Sequence, residues 1–275
     1  MCSFAEVQMI TAVAALEGEL AGIRRHMKIS SSFTAGEALI EEGWLGGQEC
    51  LLVQSGMGRQ RAERALQFVL QRYQPSAVLS LGFCGALAAR LRAGDLVVCS
   101  QLLALLTMPS PLRPAPSVGL LNCDDDLVRK ALRVEMPQTW GVTRHLRLRR
   151  RMQPVGGGCL TVPSAASHRQ VKEWLSWNFT GAVVDMESFW LGTLAREAGV
   201  PFLAVRSVSD PLTESLPPLD GLVDAFGRTK MKAMSQYLIG HPVTAAQLAR
   251  LGLHARRAQK SLTSFSVSFI KDFDR

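Results

Sequence analysis

The chain reads as an α/β protein, a three-layer sandwich around a mixed, mostly parallel sheet that ends in extra helices. Three observations carry this. Short apolar runs suited to buried strands alternate with segments of helical spacing over most of the 275 residues. Two of those runs end in acids: Val183-Val184-Asp185-Met186-Glu187, and Phe202-Leu203-Ala204-Val205 leading to Ser209-Asp210. Residues 188–199 lie between them with helical spacing and stop at Gly199. Neighbouring strands would then deliver carboxylates at their carboxyl ends, where such sheets bind ligands.

Composition bounds the function. At 47% hydrophobic content the chain can bury a full core, and 20% charged residues argue against global disorder. A net charge of +8 favours anionic partners. Six scattered cysteines form no C-x-x-C pair, so buried free thiols are expected. The amino end carries Glu6 and Glu17 without a basic start, and no apolar run reaches the ~18 residues a spanning helix needs. The expectation is a cytoplasmic protein with reduced thiols.

In order along the chain, residues 7–15 read as a buried strand and 16–27 as a helix. Glu19 falls near that strand's end and the helix start; a solvated first-turn acid and a site acid are equal readings. Residues 31–39 and 49–54 read as strands across a turn near Gly46-Gly47. Gly56-Met57-Gly58-Arg59 then turns into a helix over 60–73, a join suited to an anion or a sugar edge. Gly56, Gly58 and Ala62 nearly match a dinucleotide fingerprint, but no acid follows about 20 residues on, and a plain tight turn fits equally.

A strand over 77–81 ends in Gly82-Phe83-Cys84-Gly85, where glycines let backbone amides approach a ligand. Another strand spans 96–99. Residues 101–118 carry four prolines and read as a long loop. Asp124, Asp125 and Asp126 start a helix through Val134 as capping acids, in preference to a metal site. The basic run 144–151 reads as a solvated strand face. An anionic lipid patch stays open there, while the lack of interleaved aromatics argues against nucleic acid. A strand over 159–162 leads through Pro163-Ser164 to a helix over 167–177, with Ser167 as its cap. Helices over 221–238 and 245–262 close the chain. The second has a basic face that suits packing on the sheet or peripheral membrane contact.

In order, Glu19, Ser55-Gly56-Met57-Gly58, Leu81-Gly82-Phe83-Cys84-Gly85 with Gly94-Asp95-Leu96-Val97-Val98, Val184-Asp185-Met186-Glu187 and Val205-Arg206-Ser207-Val208-Ser209-Asp210 resemble the nucleoside phosphorylase and nucleosidase superfamily. The resemblance covers residues 7–238 and implies a phosphorylase/hydrolase-like fold. It implies a domain over 1–240, with 241–275 as its helical extension. Asp185-Met186-Glu187-Ser188, Ser209-Asp210-Pro211, Leu216-Pro217-Pro218 and the helical tail are most similar to the hopanoid-associated phosphorylase group, linked to adenine release from adenosylhopane.

The resemblance implies cleavage of a purine N-glycosidic bond by phosphate or water, with no cofactor beyond phosphate as a co-substrate and no metal. Asp210 would protonate the departing base, and such help contributes ~10²–10⁴-fold. Glu19 would activate water. Glu187 and Met186 would hold the ribose, and Val162, Ser164 and Ser209 would border the base. Gly56, Gly58, Arg59 and Gly82 are candidates for the phosphate or nucleophile side. Arg206 stays open between that side, orienting an acid, and a structural ion pair. Phe83 stands where the superfamily usually has a small hydroxyl residue, and no amino-terminal Gly-Asp-Pro-x-Arg element is present. The implied partners are a purine nucleoside, open to a lipid-linked form, and copies of the chain in a homo-oligomer. A nucleoside-binding protein without turnover and a dinucleotide enzyme are the other classes; Glu187 with Asp210 argues against the first, the missing ribose acid against the second.

Overall fold

The structure, a computed structural model, describes residues 8–108, 117–136, 139–140, 149–150, 153–216, 224–226, 228 and 242–273. Its strands are β1 (Ile10–Ala14), β2 (Lys28–Ala35), β3 (Ala38–Leu45), β4 (Gln48–Gln54), β5 (Ala77–Ala86), β6 (Leu96–Leu105), β7 (Ser117–Asn122), β8 (Thr139–Trp140), β9 (Arg149–Arg150), β10 (Val155–Thr161), β11 (Val183–Asp185) and β12 (Phe202–Asp210). The helices are α1 (Glu17–Arg24), α2 (Arg59–Arg72), α3 (Asp125–Leu132), α4 (Arg169–Asn178), α5 (Ser188–Glu197) and α6 (Pro242–Lys271).

One mixed sheet runs β11-β10-β6-β12-β5-β1-β4-β3-β2, with β7 on β6. Pairings of β1 with β4 and β5, of β12 with β5, and of β10 with β6 and β11 are parallel. β12 runs antiparallel to β6, and β11 antiparallel to the end of β5. That last pairing closes β5, β12, β6, β10 and β11 into a ring. β1 is buried along its whole length, as a central strand covered on both faces must be. On α2, Ala62, Ala65, Leu66 and Val69 form the inward stripe and pack toward α5. α6 lies on α1 and β12, seated through Leu262, Phe265, Phe269 and Ile270.

Several boundaries differ from the sequence reading. The first hairpin has three strands, because β2 turns at Gly36, φ +61°, into β3. Glu41 and Glu42 hide β3 from a hydrophobicity scan. They are accommodated by an ion pair from Arg24 (2.6 Å) to Glu41 and by the Tyr73 hydroxyl on Glu42. β6 extends through Leu105, so residues 101–105 are strand, and β7 pairs with it from Ser117. Asp124 caps α3 as expected, accepting from the Leu127 N–H at 2.9 Å. α4 starts at Arg169, and its N–H donates to the Ser215 hydroxyl at 3.0 Å, so Ser215, not Ser167, supplies the cap oxygen. α5 ends as expected at Gly199, φ +70°, with Val200 N–H bonded to the Ala195 carbonyl.

Most of the anticipated helix at 221–238 and most of the basic run lie outside the described residues; residues 224–226 within the first form a turn. Cys50, Cys84, Cys99, Cys123 and Cys159 are free and buried. Burial pushes the Cys50 and Cys123 thiols up to about 12 and raises Cys84 and Cys159 well above the usual value, which makes them unreactive. Among the described residues, no helix is long and apolar enough to cross a membrane.

Candidate active site

The carboxyl ends of β1, β4, β5, β10, β11 and β12 converge on two adjoining cavities that share Ala15, Glu19, Phe83 and Glu187. The outer one is also lined by Met57, Cys84, Val162, Met186, Ser209 and Asp210. The inner one reaches Ser55, Ser80, Gly82 and Arg206. Neither acid-bearing strand bonds to the other. β5 separates them, and Gly85 pairs with Val184 on one side and Asp210 on the other. A Cβ at Gly85 would lie 3.0 Å from Asp210 Oδ2 and 3.1 Å from Val184 Cγ1, so any larger residue would press on both side chains here.

Glu19 is buried at the start of α1. Its Oε2 accepts from the Leu16 N–H and its Oε1 from the Phe83 N–H, both at 2.7 Å. The first bond is half of a capping arrangement; the second ties α1 to β5. Burial raises the Glu19 carboxyl despite these donors. The solvated first-turn reading is therefore replaced by a fixed carboxyl facing the cavity.

Asp185 and Glu187 are two residues apart and differ in kind. Asp185 borders the outer cavity, but its carboxyl is buried and held by partners inside the protein. It accepts from Arg206 Nη2 at 2.8 Å, the Ser188 N–H at 2.9 Å and the Thr161 hydroxyl at 2.7 Å. Burial opposes ionisation, but the guanidinium and these donors outweigh it and hold Asp185 below the usual carboxylate range. Arg206 also donates to the Ser80 carbonyl and hydroxyl. Of the three readings left open for Arg206, the geometry is that of a structural ion pair at the cavity floor.

Glu187 sits at the N-cap of α5 and not in a strand. Among the described residues, its donor is the Gly58 N–H, 2.8 Å from Oε1. Burial first, and the nearby Asp185 second, push it up to about 7. The anion seated at the glycine turn is thus the protein's own carboxylate. Gly58, φ +94°, adopts the left-handed backbone that presents this N–H. Gly56 donates to the Ala15 carbonyl at 3.1 Å.

Arg59 departs from the sequence reading. Its guanidinium lies 3.6 Å from the Trp190 ring centroid and pairs with Glu63 at 2.8 Å, away from both cavities. The first residue of α2 points along the helix surface, so its cation turns outward. Ser164 is exposed and outside the lining, where Ala165 and Ala166 take its place. Gly82 abuts Glu19: a Cβ there would meet Glu19 Oε1 at 3.1 Å.

Asp210 ends β12 at the far edge of the outer cavity. Ser209 Oγ lies 2.8 Å from its Oδ1, and Lys172 Nζ lies 2.8 Å from its Oδ2. Burial raises the Asp210 carboxyl against the pull of Lys172. Lys172 was missed by sequence reasoning. Its one trace there is a lysine on the inward face of α4, one turn from Leu175. Thr161 and Ser80 were also missed, since hydroxyls inside strands look like any others. Among the described residues, no group of three or more His, Cys, Asp or Glu is arranged to hold a metal.

The arrangement offers carboxyls on one flank (Glu19, Glu187) and a carboxyl of raised affinity for protons on the other (Asp210), across a cavity with apolar walls. Residues 10–240 match the model of the phosphorylase superfamily. The 5'-methylthioadenosine/S-adenosylhomocysteine nucleosidase of Halalkalibacterium halodurans is 23% identical over 202 residues, covering 72% of this chain and 83% of the relative. That of Colwellia psychrerythraea is 26% identical over 207 residues, covering 72% and 82%. Among solved structures, S-adenosylhomocysteine nucleosidase from Streptococcus pyogenes, in complex with 5-methylthiotubericidin, superposes with TM-score 0.70 at 19% identity, covering 97% of this chain and 98% of that one. Futalosine hydrolase of Helicobacter pylori gives 0.66 at 18% identity, covering 94% and 97%. The chain belongs to the phosphorylase superfamily and is an enzyme of N-glycosyl bond cleavage.

Proposed function

We propose that the protein releases adenine from an adenine nucleoside by hydrolysis of the N-glycosyl bond. The observation that carries this reading is the shared cavity, to which α1, the cap of α5 and the end of β12 bring Glu19, Glu187 and Asp210. Cleavage builds positive charge on the ribose and negative charge on the base. Glu19 and Glu187 lie where the first is stabilised, and apolar walls strengthen that effect. Met186 lies against the sugar, and Glu187, held at one oxygen by Gly58, turns the other to its hydroxyls. Asp210 protonates the imidazole nitrogen of the leaving base, with Ser209 and Val162 beside it.

Water is favoured over phosphate by charge. Arg206 is already balanced by Asp185, and Arg59 faces away. Among the described residues, a phosphate anion would meet two carboxyls and no unpaired cation of the cavity lining. The relatives named above are nucleosidases of methylthioadenosine and S-adenosylhomocysteine, which makes these the first substrates to try. A hopanoid-linked adenosine and a homo-oligomer rest on the motif resemblance alone, and a lipid surface on the basic run 144–151 and the basic face of the last helix.

Incubation with adenosine, methylthioadenosine and S-adenosylhomocysteine, with and without phosphate, tests the reading. Adenine released equally in both arms is expected. Release only with phosphate would replace hydrolysis by phosphorolysis, and no release from any of the three would overturn this substrate class. Asp210→Asn is expected to cut base release by ~10²-fold or more while the fold is kept.

A further inference from the structure

We propose that Lys172 is the positioning residue of Asp210: its ammonium fixes the carboxyl at the base edge of the cavity and takes up the negative charge left when the acid gives its proton to the base. This rests on the reading of Asp210 as general acid.

A lysine with no exposed surface is rare unless it is paired. The stem of Lys172 enters from α4 and passes Gly85, where an added Cβ would lie 3.5 Å from its Cδ. Nζ then reaches Asp210 Oδ2 at 2.8 Å and the Pro211 carbonyl at 2.7 Å. The second contact anchors the ammonium to the residue that follows the acid, so head and carboxyl share one rigid strand end. Gly85 and Lys172 thus fit each other: the missing side chain on β5 gives the lysine stem and the Asp210 carboxyl their room.

The other groups facing Asp210 do not substitute for this contact. Ser209 offers a neutral hydroxyl from β12, and Cys84 a neutral thiol from β5. Glu214, beyond the strand end, is a like charge that opposes ionisation of Asp210. His254, on α6, is shifted toward its neutral form by burial. Glu214 in turn is engaged by Arg250 and, at 3.5 Å, by His254.

In the reaction, the bond from the sugar to the purine nitrogen breaks and its electron pair goes to the base. The Asp210 O–H proton bonds to the base's imidazole nitrogen. Water oxygen bonds to the sugar carbon and gives up a proton, and solvent returns one to Asp210. Before transfer, Lys172 faces a neutral carboxyl; after it, a carboxylate. The contact is therefore stronger in the transition state than in the ground state, which is the condition for accelerating the step.

The test compares wild type with Lys172→Met, and with Lys172→Gln should the first variant fail to fold. Two quantities are read. One is the titration of the Asp210 carboxyl by carbon NMR, without substrate. The other is the pH profile of kcat for adenine release from methylthioadenosine. Loss of the ammonium is expected to raise the Asp210 titration by roughly one to three pH units. The basic limb of kcat should move up with it, the plateau should fall about 10- to 100-fold, and KM should change little. Lys172→Arg should restore part of the plateau. A limb that stays put or moves down overturns the proposal, as does an unmoved carboxyl titration. The titration needs no turnover, so a wild type that releases no adenine overturns the functional reading while the positioning of Asp210 is still judged.

Discussion

Asp185 and Glu187 stand two residues apart at the same edge of the sheet, yet one is silenced and the other is poised. Asp185 is the last residue of β11, and its side chain turns into the protein toward Arg206, Thr161 and the α5 N-terminus. Glu187 lines both cavities and, among the described residues, receives one backbone donor. The first ionises below the usual range, the second at about 7. Both are buried; what separates them is the Arg206 guanidinium, with the donors beside it, on Asp185, and the charge of Asp185 itself beside Glu187. A compensated carboxylate serves as scaffold; an under-compensated one keeps its chemistry.

The largest expected effect comes from breaking the compensated side. Arg206→Met leaves Asp185 buried without its cation and should cost about 3–5 kcal/mol of stability. Denaturant unfolding measures it, and a loss below about 1 kcal/mol would mean that the pair is not what holds the floor of the cavity. Next is Gly85→Ala, which forces a methyl against Asp210 and Val184. Overpacking of this kind costs about 1–3 kcal/mol. Adenine release should fall by more than the loss of folded protein explains, because the acid is displaced. An unaltered kcat would show that Asp210 does not depend on this close approach.

A smaller effect sharpens the contrast from within. The Thr161 hydroxyl donates to Asp185 and lies 3.1 Å from the Phe189 N–H that it accepts from. Thr161→Val should cost about 1–3 kcal/mol and leave kcat nearly unchanged, since only the scaffold carboxylate loses a partner.

The change expected at the poised side depends on pH, and it carries a sign. The folded value of Glu187 lies above its unfolded one, so its contribution is fully present below about pH 4.5 and is lost as pH rises through about 7. Glu19 and Asp210 are raised as well and act in the same direction. Stability should therefore decline between pH 5 and 8. Glu187→Gln should flatten part of that decline while weakening nucleoside binding. Chemical unfolding at several pH values checks it; an unchanged slope would contradict the raised carboxyl.

Much of the strand and helix alternation was legible because burial of both sheet faces writes long apolar runs, as in Ile10–Ala14 and Phe202–Asp210. The missed elements have a shared cause. β3 carries Glu41 and Glu42, and the stretch 101–118 carries four prolines that mask the end of β6 and β7, so none of these writes a continuous apolar run. The acids of the site were legible because each stands at the end of an element. Arg59 was misread because spacing places a residue on a turn without saying which way its side chain leaves it.

By itself, the sequence determined the order of strands and helices, the acids at their ends and the family they belong to, since local pattern and short motifs need no partner to be read. The tertiary structure alone decided which acid is neutralised and which stays available. That choice is made by contacts between residues far apart in the chain: Gly58 with Glu187, Phe83 with Glu19, Arg206 with Asp185, Lys172 with Asp210. Proton affinity depends on the donors and charges within a few ångströms, and only the closing of the sheet around Gly85 brings those together.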